Sequence, residues 1–333
     1  MRISRVGIIL LIAVAMLSGT SCSVYSRVIA RKNLVDGANS FNGKKLDEAE
    51  QFFRSALGNS VEGSTEQKTA LLFLARTLHS KYAASRIEKA KAEEAIEIYR
   101  KVLALDPTDN ASFKAVASLY ENLGKTDDWK KWITDRSENT GIPPEQRAEA
   151  YTSLAAKHNT CANDITELPE VKKTVQKDGK PTFTFSKPAT PAELETLKGC
   201  VDKGMELITK AIALETDKVK SAPTANIKSY SDKDLTSFSD LVNTFESSRS
   251  FNASLLSQSM RLAEMEGRTA DKDKFKASYD EAKKAFLELA TVDKNIKAEV
   301  ELRQKAKEEA ANGPAKNANA AGANTNAGNT NTK

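Results

Sequence analysis

Residues 92–125 read AEEAIEIYRKVLALDPTDNASFKAVASLYENLGK. Before the proline, Ala95, Tyr99 and Val102 recur at the spacing of one face of an α-helix. Pro107 lacks the amide hydrogen that would continue this helix, so the helix must end beside it. Beyond the proline, apolar residues recur again at helical spacing at Phe113, Val116, Ala117 and Tyr120. The stretch therefore predicts two amphipathic helices joined by a turn.

The alternation of small and large residues across the two helices resembles the tetratricopeptide repeat, a helix-turn-helix unit of about 34 residues. Weaker copies flank it, such as LDEAEQFFRSAL at residues 46–57 and the paired faces around Tyr151 and Ile208. The low content of turn formers, with 15 glycines and 9 prolines, also favours helices. The resemblance implies an all-α, tetratricopeptide-like solenoid of about five helix pairs over residues 31–295.

Two segments interrupt the repeat spacing. The distance along the chain from Leu78 to Ala95 is 17 residues, whereas the corresponding distance from Tyr120 to Trp129 in the next unit is 9. We therefore expect a loop with about eight extra residues, SRIEKAKA. From His158 to Gly204 is 46 residues, which implies an insertion of 37. Trp129 stands where the repeat usually has a small residue, so that unit must pack differently. Trp129 and Trp132 are a candidate surface, with burial of at least one as the alternative.

The insertion, residues 162–199, contains TVQKDGKPTFTFSKP, which alternates polar and apolar residues around Asp178-Gly179. This pattern predicts a small β-hairpin in the fourth repeat. Such a short hairpin is not stable alone, so it should lie against the helices or extend to a partner. In the repeat register, Cys161 and Cys200 would then fall on one tight turn at the neck of the insertion, which favours a disulfide. The alternative is two unrelated buried thiols.

The C-terminal third is amphipathic at helical spacing and predicts a fifth unit with a capping helix. A polar helix is expected at residues 296–312. The last segment, residues 313–333, is rich in Asn and Ala and has almost nothing to bury, so it is expected to be disordered.

Residues 1–21 begin with arginines, continue with an uncharged apolar run and end in small residues, which is typical of an export signal peptide. A permanent anchor running on through Ala30 is an alternative. Cys22 directly follows Gly19-Thr20-Ser21 and resembles the lipid-modified cysteine of bacterial lipoproteins, although that family prefers Leu where this chain has Gly19. The resemblance implies lipidation at Cys22, a membrane tether at residues 22–30 and a periplasm-facing place in the bacterial envelope. Pairing of the other two cysteines would leave Cys22 as the odd thiol, which agrees with this prediction.

Within the lipoprotein resemblance, Ser23 replaces the Asp that retains such proteins in the inner membrane of enteric bacteria, which favours the outer membrane. Ordinary cleavage, giving a soluble secreted adaptor with unmodified Cys22, remains an alternative.

No catalytic constellation stands out in the sequence. The chain has 2 histidines, and His158-x-x-Cys161 has no second pair to complete a metal site. His158 falls where the repeat places a packing residue. Neither a phosphate-binding glycine loop nor a nucleophile elbow occurs, so we expect no metal, no cofactor and no enzyme activity. The 50 basic and 45 acidic residues are interspersed, which argues against nucleic acid as a partner.

Tetratricopeptide proteins usually bind protein segments in a groove lined by the first helix of each pair. By register, the groove residues here are Asn39, Phe73, Arg76, Lys114, Ser118, Thr152 and Ala156. The resemblance therefore implies a non-catalytic scaffold with protein partners. The alternative is an envelope enzyme acting on the cell wall or on another substrate. Its site would lie in the insertion and the C-terminal region, where carboxylates would converge on a deep pocket near Phe183 and Phe185.

Overall fold

The computed structural model describes residues 5–312, with side chains for residues 24–311 other than Lys177. The predicted tail at residues 313–333 and the first four residues of the predicted signal peptide lie outside the described residues. The chain divides after Pro143 into an N-terminal unit and a C-terminal unit, and each is described by itself.

The N-terminal unit consists of three helix pairs. They are α1 (Arg5–Asn42) with α2 (Leu46–Gly58), α3 (Thr65–Ser85) with α4 (Lys89–Leu105), and α5 (Asn110–Asn122) with α6 (Thr126–Glu138). Gly124 joins the third pair with a φ of 70°, a left-handed conformation that glycine adopts without strain. The side chain of Asp109 caps α5 by accepting a hydrogen bond from the amide of Ser112. Fully buried Ala95 and Val102 lie on the face that the sequence predicts.

The prediction of a long loop between α3 and α4 is wrong. Only residues 86–88 lie outside the two helices, and most of the extra residues lengthen the helices instead. The segment is rich in Ala, Lys and Glu, which have high helix propensity, so added turns cost less than a disordered loop. Arg86 ends α3 with a φ of 59°.

Trp129 and Trp132 both pack within the N-terminal unit. Trp129 is 7% exposed. The half-buried Trp132 stacks on Phe113 with ring centroids 5.4 Å apart, and its Nε1 donates a hydrogen bond to the carbonyl of Phe113 at 3.2 Å. The guanidinium carbon of Arg136 lies 4.1 Å from the centroid of the same phenyl ring. The packing alternative of the sequence analysis therefore describes these tryptophans better than a binding surface does.

The C-terminal unit holds two further helix pairs and the hairpin. Its elements are α7 (Pro144–Thr166), β1 (Lys172–Lys177), β2 (Lys180–Phe185), α8 (Pro191–Ile212), the short α9 (Asp217–Lys220), two 3-10 turns (Ala222–Thr224 and Ile227–Ser229), α10 (Asp232–Met265) and α11 (Thr269–Asn312). The pairs are α7 with α8 and α10 with α11. The predicted fold class, all-α and tetratricopeptide-like with five helix pairs and a small hairpin in the fourth, is confirmed for the part of the chain that the structure describes.

Residues 22–30, predicted as a membrane tether, form part of α1, in which Ala30 is fully buried. The boundary predicted at residue 296 is wrong. Residues 296–312 are not a separate helix, because α11 runs without a break to Asn312. Ile296 is fully buried, and Arg303 binds Asp232 at 3.0 Å, so the last turns of α11 are tied to the start of α10. Among the residues that the structure describes, no helix is both long and apolar enough to cross a membrane.

The hairpin turns at Asp178 and Gly179, whose φ angles of 51° and 71° match a type I′ turn. Its base packs on the helices, since Phe185 joins a cluster around fully buried Val171 and Leu197. Towards the tip it projects, because Phe183 is 54% exposed. Of the two predicted placements, the hairpin therefore lies against the helices at its base.

A disulfide joins Cys161 to Cys200, with Cα atoms 6.1 Å apart. The expectation that both lie on one tight turn is wrong, because each cysteine lies inside a helix, α7 and α8 respectively. Part of the 162–199 insertion extends these two helices beyond the cysteines. Only residues 167–190, which include the hairpin, lie between the helices. The bond therefore staples two helix faces, and the hairpin begins further along.

An ion cluster around Glu50 joins α2, α3 and α4. Glu50 is 9% exposed, and its carboxylate accepts hydrogen bonds from Lys81 at 2.7 Å, Arg54 at 2.7 Å and Lys91 at 3.0 Å. Burial opposes ionisation of Glu50, but the three cations outweigh it and lower the pKa from 4.5 to about 2.

We expect Glu50→Gln to flatten the acid side of the stability curve. A carboxylate with a lowered pKa stabilises the fold fully above its unfolded pKa of 4.5 and loses that contribution as the pH falls towards about 2. The shift corresponds to about 3 kcal/mol at neutral pH. The free energy of unfolding in urea, measured from neutral to acid pH, should fall more steeply for wild type than for Glu50→Gln. Curves that stay parallel would contradict the cluster.

Candidate functional site: a polar cavity in the C-terminal unit

In the N-terminal unit, the predicted groove residues divide into two kinds. Asn39 is exposed on α1, and Lys114 and Ser118 are exposed on α5. Phe73 is a packing residue instead, because its ring stacks on fully buried Phe53 with centroids 5.3 Å apart. The guanidinium carbon of Arg76 lies 5.5 Å from the centroid of the Phe73 ring. The register places these residues on the first helices of their pairs, but it does not distinguish exposed from packing side chains.

In the C-terminal unit, the groove prediction is wrong for Thr152. Its side chain is buried, and its Oγ1 lies 2.7 Å from Ser248 Oγ, so it is a packing contact between α7 and α10. Ala156 is half-buried on the same helix face. Further along that face, at seven and eleven residues beyond Thr152, stand Asn159 and Asn163. These two asparagines reach an open cavity.

The cavity has a volume of about 300 Å³ and lies between α7, α10 and α11. Most of its lining residues carry hydroxyl, amide or cationic groups. They are Asn159, Asn163, Ser250, Ala253, Ser254, Ser257, Gln258, Arg261, Tyr279, Lys283 and Phe286. None of these residues is predicted from the sequence. The available signal was the continuation of the Thr152 face to Asn163, whereas the contributions from α10 and α11 depend on how three helices pack.

The amides at the wall of the cavity are held in one arrangement. Gln258 is 2% exposed, and its Oε1 accepts a hydrogen bond from Thr166 at 3.1 Å. Its Nε2 donates to Asn163 Oδ1, which leaves the Asn163 amide nitrogen as a donor. Asn159 is 7% exposed, and its Oδ1 accepts no hydrogen bond from the described residues. A buried amide oxygen without a donor costs free energy, so a ligand that brings an N–H or O–H donor would gain by binding it.

The charge of the cavity is positive. Arg261 is paired with Glu167 at 3.0 Å, and the pKa of Glu167 is lowered, first by its hydrogen bond from Lys172 and also by Arg261. Lys283 forms no ion pair with the part of the chain that the structure describes, and none of the lining residues is acidic. The cavity therefore offers donors and a cation to a polar, acidic group.

The rings and carboxylates around the hairpin are held in contacts of their own. Phe185 lies under Arg261, with 4.7 Å between the guanidinium carbon and the ring centroid. The nearby carboxylates are each ion-paired, Glu167 with Lys172 and Glu264 with Lys272 at 2.9 Å. Over the described residues there is no group of three or more His, Cys, Asp or Glu side chains that could hold a metal ion.

Comparison with known proteins gives one sequence match, in the N-terminal unit. Residues 82–109 match the family model of the tetratricopeptide repeat. The matched tetratricopeptide segment runs from the end of α3 through α4 to the turn at Pro107, which is the part of the chain with the clearest repeat pattern. No curated protein matches the chain.

Solved structures that resemble the chain include the following two. One is PilF of Pseudomonas aeruginosa, with 14% identity, 82% of this chain and 99% of that chain covered, and a TM-score of 0.31. The other is a tetratricopeptide repeat protein from Parabacteroides merdae, with 12% identity, 80% and 98% covered, and a TM-score of 0.32. At these TM-scores neither likeness carries an argument about what this chain binds.

Proposed function

We propose that this chain is a non-catalytic tetratricopeptide-like scaffold, exported and anchored by lipid at Cys22, that binds protein segments at the bacterial envelope. The apolar N-terminal run followed by small residues and Cys22 supports export and lipidation. The side chain of Cys22 lies outside the described residues. The lone thiol also supports lipidation, because the disulfide uses the other two of the 3 cysteines.

The observation that carries the binding function is the cavity at Asn159. Its amides and hydroxyls are spaced along helices, where they suit the alternating donors and acceptors of an extended peptide backbone. Lys283 adds a preference for a segment with an acidic group. A site of this kind recognises segments by directional hydrogen bonds, and the helix scaffold keeps those groups in place without a ligand.

Reversal of the charge at the cavity should abolish capture of the partner. We expect Lys283→Glu to reduce partner recovery from solubilised envelope membranes at least about tenfold, since like charges across a binding surface cost several kcal/mol. The matched control is Lys284→Glu, which makes the same change on the next residue of α11, outside this cavity. Quantitative mass spectrometry of captured proteins reads the difference.

Equal recovery with Lys283→Glu and Lys284→Glu would show that the cavity is not the binding site.

The lipid anchor is tested separately, by the mass of the mature N-terminal peptide. An acyl group on Cys22 supports the lipoprotein, and an unmodified Cys22 or its absence would instead support a soluble secreted adaptor.

A further inference from the structure

The first described side chains of α1 expose an unusual amount of apolar surface. Val24, Tyr25 and Val28 are 62%, 68% and 59% exposed, and Val35 is 60% exposed. The other large apolar side chains exposed in the N-terminal unit stand singly, in separate loops or at a helix end: Val61, Ile87 and Leu105. Single exposed apolar residues are normal, but a contiguous set marks a contact surface.

The set forms a stripe along one side of the helix. At about 100° per residue, Val24, Val28 and Val35 fall within about 40° of one another, with Tyr25 at the border. The opposite side of the helix is fixed to the N-terminal unit. There Ala30 is fully buried, so α1 cannot rotate to hide the stripe.

A second contact sets the same orientation. Glu66, on α3, is 5% exposed and accepts hydrogen bonds from Arg27 Nε at 2.9 Å and Arg31 Nε at 2.7 Å. The side chains of the two arginines nevertheless remain 55% and 63% exposed, and that of Lys32 is 76% exposed. Arg27 and Lys32 therefore lie on the two sides of the apolar stripe, and Arg31 lies at its edge, about 20° from Val24. The carboxylate that partners the arginines is buried beneath them, and Lys32 is paired with Asp36 at 3.3 Å.

We infer that this face of α1 lies on an anionic lipid bilayer, with Val24, Tyr25 and Val28 in the headgroup region. An apolar stripe bordered by Arg and Lys is the chemistry by which a helix lies in such an interface. The position of the stripe in the chain supports this occupant over another protein, because an apolar run and then Cys22 immediately precede it.

This inference rests on the proposed function, because the lipid anchor at Cys22 is what would bring the stripe to the membrane. From Cys22 to Arg27, the first residue held by Glu66, is five residues, which reach at most about 17 Å even when extended. An acyl group on Cys22 would therefore hold the N-terminal unit against the bilayer. The stripe then fixes which side of this unit faces the lipid.

An environment-sensitive label at residue 28 tests the contact in the full chain. Val28→Cys carries a nitrobenzoxadiazole label, Ile87→Cys is the matched exposed control, and the unsubstituted chain measures any label that Cys22 accepts. Each is mixed with vesicles of phosphatidylethanolamine and phosphatidylglycerol, or of phosphatidylcholine alone. We expect a blue shift and quenching by brominated lipid at residue 28 with the anionic vesicles, and neither at residue 87.

The same behaviour at residues 28 and 87 would overturn the inference. A blue shift at residue 28 without vesicles, together with a doubled hydrodynamic mass, would overturn it in favour of a second copy on the stripe. Acylation of Cys22 is scored independently on the same samples by mass. If the acyl group is absent, the anchor of the proposed function fails, while the label at residue 28 still decides whether the stripe contacts lipid.

Discussion

Replacement of Phe53 by alanine is expected to lower the free energy of unfolding of the N-terminal unit by about 3–5 kcal/mol. Phe53 is fully buried and stacks on Phe73 of α3. On its other side it contacts α1 so closely that a Cβ built at Gly37 would lie 2.6 Å from its Cε1. The ring thus fills the junction of three helices, and its removal leaves a cavity that rigid helices cannot close.

Tryptophan fluorescence in urea measures this effect selectively, because both tryptophans, Trp129 and Trp132, lie in the N-terminal unit. The control is Ile87→Ala, which removes a large apolar side chain that is 83% exposed in the same unit. We expect the control to change the stability by less than about 0.5 kcal/mol. A Phe53→Ala variant with an unchanged fluorescence midpoint would show that α1, α2 and α3 do not meet around this ring.

The role of Phe53 illustrates what the sequence determines well. Its alternation with Ala49 and Ala56 on one helix face is a local pattern, and all three are fully buried. The helix pairs could be predicted because amphipathic spacing recurs along the chain and Pro or Gly marks several of the turns. The hairpin could be predicted because Asp-Gly between alternating residues selects a two-residue turn.

Segment lengths were less predictable, for one physical reason. Extra residues between paired helices were expected as loops, but part of them instead lengthens α3, α4, α7 and α8. Between α3 and α4 most of these residues are Ala, Lys and Glu, which have high helix propensity. The repeat spacing counts the extra residues correctly and says nothing about their conformation. The same limit explains why Cys161 and Cys200 lie within helices rather than on a turn.

The candidate site was the least predictable part. The register identified the helix face of Thr152 and Ala156, but Thr152 is covered by Ser248 of α10. Which residues of a face stay open depends on the partner helix, and the register of α10 against α7 is not encoded locally. Asn159 became recognisable only once three helices were placed around it.

Removal of the disulfide is expected to destabilise the C-terminal unit by about 4 kcal/mol. The estimate comes from the loop-entropy relation for a closed loop of 39 residues. Cys161→Ser with Cys200→Ser frees the chain between α7 and α8 in the unfolded state, while Ala162 and Leu197, both fully buried beside the bond, keep the same packing surface. Hydrogen exchange should show the loss at α7, α8 and the hairpin.

The N-terminal unit serves as the internal control, because its tryptophan-reported unfolding should not change in the same variant. A thiol count in the unreduced, denatured chain then tests the bond itself and Cys22 together. With 3 cysteines and one bond, one free thiol means that Cys22 is present and unmodified, and none means that it is acylated or removed. Two or more free thiols would contradict the bond. In that case the argument that Cys22 is left over, and with it part of the case for lipidation, would fall.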